Sequence, residues 1–306
     1  MRVWRRLIWS VRQHGCFRGR CGRRGGCDMG AVVGVVIVLG GAAALWAFLV
    51  WRGKVRRARR RELMAAPFPE AWREICRRNV RLYNRLPEDL RRQLHGLVNV
   101  FLDEKRFYGC KGLEITDEIR VTIAAQACLL LLNRPTVFFR KLKTIYVYPE
   151  SYVAKETFRD GVMEIERESV RLGESWRRGP VVLAWDSIRR GARNIEDGSN
   201  VVLHEFAHQL DQEDGDADGA PVLDGRSGYA VWSRVLGAEY EQLCEKARRG
   251  RYSDIHVYGA THPAEFFAVI TEAFFEKPRQ MQRKHPELYE ALKNYYRIDP
   301  AGWPEE

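Results

Sequence analysis

No Cys-x-x-Cys pair occurs in the 306 residues, and the seven cysteines stand singly along the chain. That spacing excludes a cysteine-clamped structural zinc and a disulfide scaffold as the organising principle. Cys76, Cys110, Cys128 and Cys244 are instead expected as buried free thiols, with Cys16, Cys21 and Cys27 ahead of them in a basic segment. Internal repeats are missing as well. A net positive charge is missing over most of the chain: residues 1–61 hold 15 Lys and Arg against the single acid Asp28, a net of +14, while the whole chain is +11. Residues 62–306 therefore carry a net −3. A nucleic-acid-binding domain needs its positive charge on the folded part, so no nucleic-acid partner is expected.

The amino terminus accounts for the net positive charge. Gly30 to Trp51 is a run of 22 residues without a charge, and at 1.5 Å per residue a helix of that length spans about 33 Å against a hydrocarbon core of ~30 Å. It reads as one transmembrane helix. A cleaved signal peptide fits less well, because the small residues Ala42, Ala43 and Ala44 lie inside the apolar run. Arg52, Lys54, Arg56, Arg57, Arg59, Arg60 and Arg61 follow directly; the positive-inside bias then predicts a single-pass protein anchored in inner-membrane lipid with its domain in the cytoplasm. The expected divisions are a basic segment over 1–29, disordered or upstream of a true start at Met29, the span 30–51, a basic juxtamembrane linker 52–64, and a folded domain 65–306.

Within that domain stands His204-Glu205-Phe206-Ala207-His208, an H-E-x-x-H pentapeptide in an apolar run. Residues four apart share one helix face, so two imidazoles can grip one Zn²⁺ while Glu205 stands beside the open coordination position as general base. A third ligand is needed. Asp214 lies six residues after His208, but Asp211 occupies the position where a glycine would let the chain turn. Pro263 to Phe275 predicts a second helix carrying Glu265 and Glu272 seven apart, hence on one face. One would ligate the metal and the other would orient a histidine or cap a neighbour. Asp211 is expected either to hold a ligand imidazole or to face solvent near Gly215. Asp214, Asp216, Asp218 and Gly219 open like a calcium loop, yet Gly225 stands where the closing Glu belongs, so a solvated acidic turn is expected. His256 and His262 flank Tyr258 and could approach the site, whereas His14, His95 and His285 are expected on the surface.

The segments Phe101 to Asn133, Gly173 to Trp176, Val182 to Asp186, Asn200 to Asp211 and Tyr258 to Phe275 resemble the zinc-dependent peptidases typified by Mlc titration factor A. The likeness covers roughly residues 65 to 300 and implies a zincin-like metallopeptidase with a catalytic core similar to that of anthrax lethal factor. In that pattern a tyrosine stands seven residues before a ligating glutamate, and Tyr258 with Glu265-Phe266-Phe267-Ala268 matches it. The resemblance therefore implies the ligands His204, His208 and Glu265, and gives the Tyr258 phenol the role of donor to an oxyanion.

Helices are expected over 70–85, 88–105, 117–133 and 229–248 besides the two motif helices and a carboxyl-terminal one, with strands near 144–148, 161–166 and 181–185. That order is no repeating βαβ, so the class is α+β with a small sheet beside the motif helix. Two functions follow: a membrane-anchored zinc peptidase acting on peptides or proteins, or a regulatory protein that sequesters a partner such as a transcriptional repressor.

Overall fold

Pro69 and Pro87 each cap a helix whose first turn carries acids, Glu70 in one and Glu88 with Asp89 in the other. Proline cannot sit inside a helix but suits its beginning, and the carboxylates offset the positive end of the helix dipole. In the computed structural model, which describes residues 29–134, 138–160, 163–171, 173–175, 179–223 and 225–304, the chain divides into two compact units, Met1–Arg57 and Ala58–Glu306.

Helix α1 runs without a break from Met29 to Ala65. The basic stretch 52–64, expected as a linker, is its carboxyl half. Near its end Arg60 makes a two-pronged ion pair with Glu104, at 2.7 and 2.9 Å, which fixes that turn to the domain. Among the described residues no helix is long and apolar enough to cross a membrane. The side chains of residues 29–33, 35, 36 and 38, which open the expected span Gly30 to Trp51, lie outside the described ones, as do residues 1–28 with Cys16, Cys21, Cys27 and His14.

The domain then builds α2 (Glu70–Asn79), α3 (Arg81–Asn84) and α4 (Glu88–Glu104). The expected single helix over 70–85 is split because Val80 takes an extended conformation between α2 and α3. Strand β1 (Arg106–Gly109) follows, then α5 (Asp117–Leu129), whose Thr116 cap accepts from the Ile119 amide. Next come β2 (Thr144–Tyr148), the antiparallel pair β3 (Tyr152–Asp160) and β4 (Met163–Arg171), β5 (Gly173–Ser175) and β6 (Val181–Ala184). The amino end of the strand expected near 161–166, residues 161 and 162, lies outside the described residues, as does Trp176. Helices α6 (Trp185–Arg193), α7 (Val201–Asp211), α8 (Gly225–Arg248), α9 (Pro263–Glu276), α10 (Pro278–Lys284) and α11 (Pro286–Tyr296) complete the chain.

The class is α+β, mostly helical. The sheet has the order β1-β2-β6-β5, its first three strands parallel and β5 antiparallel at the edge. α7 packs against β5 and β6, against α5, and most extensively against α9. Its Phe206 ring meets Phe101 at 5.7 Å and Phe139 at 4.8 Å between centroids. Phe139 sits in a turn held by the buried Lys105, whose ammonium donates to the Phe138, Phe139 and Leu142 carbonyls at 2.7, 2.7 and 2.9 Å. The floor under the H-E-x-x-H helix is thus rigid aromatic core clamped by a buried cation.

Candidate metal centre

Asn200 starts α7. Its side-chain oxygen accepts from the Val202 and Leu203 amides, both at 3.1 Å, and fixes where the helical period begins. Counting from there, His204 and His208 emerge on one face, their rings 4.9 Å apart and nearly perpendicular. α9 starts equally sharply, with Pro263 in its first turn and His262 as cap, its ring nitrogen accepting from the Ala264 amide at 3.1 Å. This places Glu265 and Glu272 toward α7.

Glu265 Oε2 lies 3.0 Å from His204 Nε2 and 3.4 Å from His208 Nε2. One nitrogen of each histidine and one oxygen of Glu265 fall within 4.8 Å of one another. Glu272 occupies a different place: its Oε1 is 2.7 Å from His204 Nδ1, and its other oxygen accepts from the Asn200 amide. Burial lowers the proton affinity of His204, but the Glu272 and Glu265 carboxylates outweigh it and hold the ring well above the ordinary histidine range. Burial likewise raises Glu265, and bonds to the two imidazoles overcome it to hold that carboxyl well below its usual range.

Glu205 is buried, with one oxygen lacking any hydrogen-bond partner among the described residues. Burial pushes it up to about 8; His204 opposes this, and Glu265 and Glu272 add to it. A carboxyl stranded beside a carboxylate and two imidazoles is costly unless a cation balances the group. The donor set of two imidazole nitrogens, neutral once a metal displaces their protons, and one carboxylate oxygen fits Zn²⁺ with a position left open. Tyr258 lies in a short 3₁₀ turn, Val257–Ala260, that packs on α9. Its half-exposed ring is 6.0 Å from that of His204.

Several expectations are corrected. Asp211 neither holds a ligand imidazole nor faces solvent: it is fully buried and accepts from the Gly219 amide at 3.1 Å. Gly219 has φ +78°, and a Cβ there would lie 2.4 Å from the Pro263 carbonyl oxygen, so only glycine lets the acidic turn reach the start of α9. His256 and His262 are capping residues, of the 3₁₀ turn and of α9. His95 is not a surface residue: it stacks on Phe68 at 4.2 Å and bonds the Tyr83 hydroxyl at 2.9 Å. His285 is buried and pairs with Glu239 at 2.8 Å. Cys76 and Cys128 are buried, whereas Cys110 and Cys244 are only half-buried. The sequence reading passed over Asn200 as a cap, although Asn directly before an apolar run is the signal for one. It also passed over Gln126 and Glu276, whose oxygens accept from the Asn200 amide group at 3.0 and 3.1 Å.

Burial moves Asp211 from its ordinary 3.8 to about 6, with the Gly219 amide opposing. The folded state then holds a proton that the unfolded chain releases near 3.8, so stability falls as pH rises from about 4 to 6 and the loss is complete above that. At about 1.36 kcal/mol per unit the loss is on the order of 3 kcal/mol. Asp211→Asn, which still accepts from Gly219, is expected to exceed the parent in urea-derived stability by more at pH 7.5 than at pH 4. An equal difference at both values refutes the assignment.

Two histidines one helical turn apart, facing a glutamate from a second helix, form the donor set of a metallopeptidase. Residues 54–297 match the model of the glucose-regulated metallo-peptidase M90 family, and the chain belongs to that family. Mlc titration factor A of Klebsiella pneumoniae strain 342 is 33% identical over 213 residues, covering 68% of this chain and 79% of that protein. Its counterpart in Escherichia coli O7:K1 is 30% identical over 233 residues, covering 75% and 86%. The uncharacterized protein slr2042 of Synechocystis is 40% identical over 271 residues, covering 87% of this chain and 96% of its own length.

Proposed function

We propose that the protein is a zinc-dependent peptidase in which His204, His208 and Glu265 hold the metal and Glu205 and Tyr258 carry the proton and charge transfers. The observation that carries this reading is the convergence of the three ligand atoms within 4.8 Å next to the unpartnered, buried carboxyl of Glu205. Bound Zn²⁺ supplies Lewis-acid polarisation of water and of the scissile carbonyl. Glu205 accepts the proton of the attacking water and delivers it to the departing amine. A cation beside it opposes the upward shift of its pKa, so that the carboxylate form is available near neutral pH. Glu272 fixes the His204 ring through Nδ1, leaving Nε2 for the metal. The edge strand β5, packed against α7, offers backbone groups to an extended substrate.

Metal content and peptide cleavage by the purified protein test the proposal directly. Tyr258→Phe adds a finer test. A phenol that donates to the oxyanion formed on the scissile carbonyl acts in the transition state, so kcat should fall about 10²- to 10³-fold with KM little changed. Unchanged kcat returns Tyr258 to packing.

The second reading, a protein that binds a transcriptional regulator, draws support from the name of the relatives, which speaks of titrating Mlc. It is compatible with catalysis, since the partner could be substrate or activator. The uncharged run Gly30 to Trp51 with seven basic residues behind it supports a membrane anchor with the domain on the cytoplasmic side. A reporter active only outside the cytoplasm, fused after Glu306, should then stay silent; a signal from it reverses the orientation.

A further inference from the structure

A cavity of about 420 Å³ opens between the start of α8 and α11, with Arg134 and Glu213 in its walls. None of its lining residues belongs to the candidate metal centre. Its volume falls in the range of small-molecule sites, about 300 to 1,000 Å³. Two lining residues carry buried polar atoms without a hydrogen-bond partner among the described residues: Nη1 of Arg134 and Oε1 of Glu213. The Arg134 guanidinium is held in place, its Cζ 4.1 Å from the centre of the Tyr295 ring. Glu213 is raised by burial, with Arg134 and Lys141 opposing. Each charge is half-buried and keeps one polar atom without a hydrogen-bond partner among the described residues, which is costly even though the two charges attract each other. What satisfies both is a molecule with an anionic end and a cationic end. Leu223, Val231 and Trp232 add apolar surface to the same walls.

We propose that this cavity binds a short apolar peptide with free termini, its carboxylate on Arg134 and its ammonium on Glu213. That such a molecule is a product of the chain's own reaction rests on the peptidase reading; the binding itself does not. An occupant would press on both metal-bearing helices. Trp232 donates to the Gly219 carbonyl at 2.9 Å, Gly219 bonds Asp211 at the end of α7, and the Trp232 ring meets Phe267 of α9 at 5.7 Å.

The test is calorimetric titration of L-leucyl-L-leucine into the full chain carrying Glu205→Gln, in metal-loaded and metal-stripped form, with N-acetyl-leucyl-leucine amide as the uncharged comparison. One site is expected in both forms, with the blocked dipeptide at least ten-fold weaker in each. Arg134→Met and Glu213→Gln should each weaken binding about ten- to a hundred-fold, the scale of losing a hydrogen bond to a charged group. Val231→Trp, at a half-exposed position, leaves both charges in place and should block entry, so the test survives if the polar variants misfold. Equal binding of the blocked dipeptide, undiminished binding by Val231→Trp, or binding only with metal present overturns the proposal. Failure of the peptidase reading shows separately, as hydrolysis by Glu205→Gln at the parent's rate.

Discussion

Glu205→Gln is expected to remove nearly all peptide hydrolysis, about 10²- to 10⁴-fold, while the protein keeps its full complement of zinc. The two halves of this outcome follow from different atoms. His204, His208 and Glu265 converge on one point, and none of them is altered by the change. Glu205 contributes nothing to that cluster; it stands on α7 with a buried, unpartnered oxygen. An amide of the same shape fills the same space but cannot take a proton from water. Stability should rise slightly or stay level, because a neutral amide relieves the burial that pushes the carboxyl up to about 8. Rate measurement and metal analysis on the same preparation decide the matter. A zinc-loaded variant that cleaves as fast as the parent removes Glu205 from the mechanism, and a variant without zinc means that Glu205 serves the metal rather than the water.

What the sequence revealed of this site is what a helix repeats. His204 and His208, or Glu265 and Glu272, are one and two turns apart, and periodicity alone places each pair on a face. Nothing local tells which of the two glutamates meets both imidazoles at Nε2 and which meets His204 alone at Nδ1. That depends on how α9 lies across α7, a packing of two helices far apart in sequence. Asp211 illustrates the limit more sharply. Its partner is the amide of Gly219, reached only because a glycine with positive φ lets the acidic turn lie against the Pro263 carbonyl. Asn200, Gln126 and Glu276 come from three separate helices or their caps, and their hydrogen bonds span more than seventy residues of sequence. In the fold, α4, α5 and the motif helices were legible from their apolar period and caps. Strand β1 was not, since its four residues include no buried one, and the register that makes it a strand is supplied by β2.

The two glutamates of α9 should separate cleanly on mutation. Glu265→Gln replaces a charged oxygen 3.0 and 3.4 Å from the two imidazoles with a neutral amide, so zinc occupancy and activity should fall together, to background at limiting metal. Glu272→Gln leaves the three converging atoms in place. It keeps one acceptor oxygen where two served the His204 ring and the Asn200 amide, and it loses the negative charge, a change that typically costs about 10- to 100-fold in affinity or activity. Excess zinc should therefore restore much of the activity of Glu272→Gln and little of that of Glu265→Gln. The difference arises because a displaced ring can still bind metal at a higher concentration, whereas a missing third ligand leaves two histidines that hold it poorly at any concentration. Zinc titration of both variants, read as bound metal and as hydrolysis, distinguishes the roles. If Glu272→Gln loses its metal irrecoverably and Glu265→Gln keeps it, the ligand and the orienting residue have been exchanged, and the geometry about His204 must be read with Nδ1 on the metal.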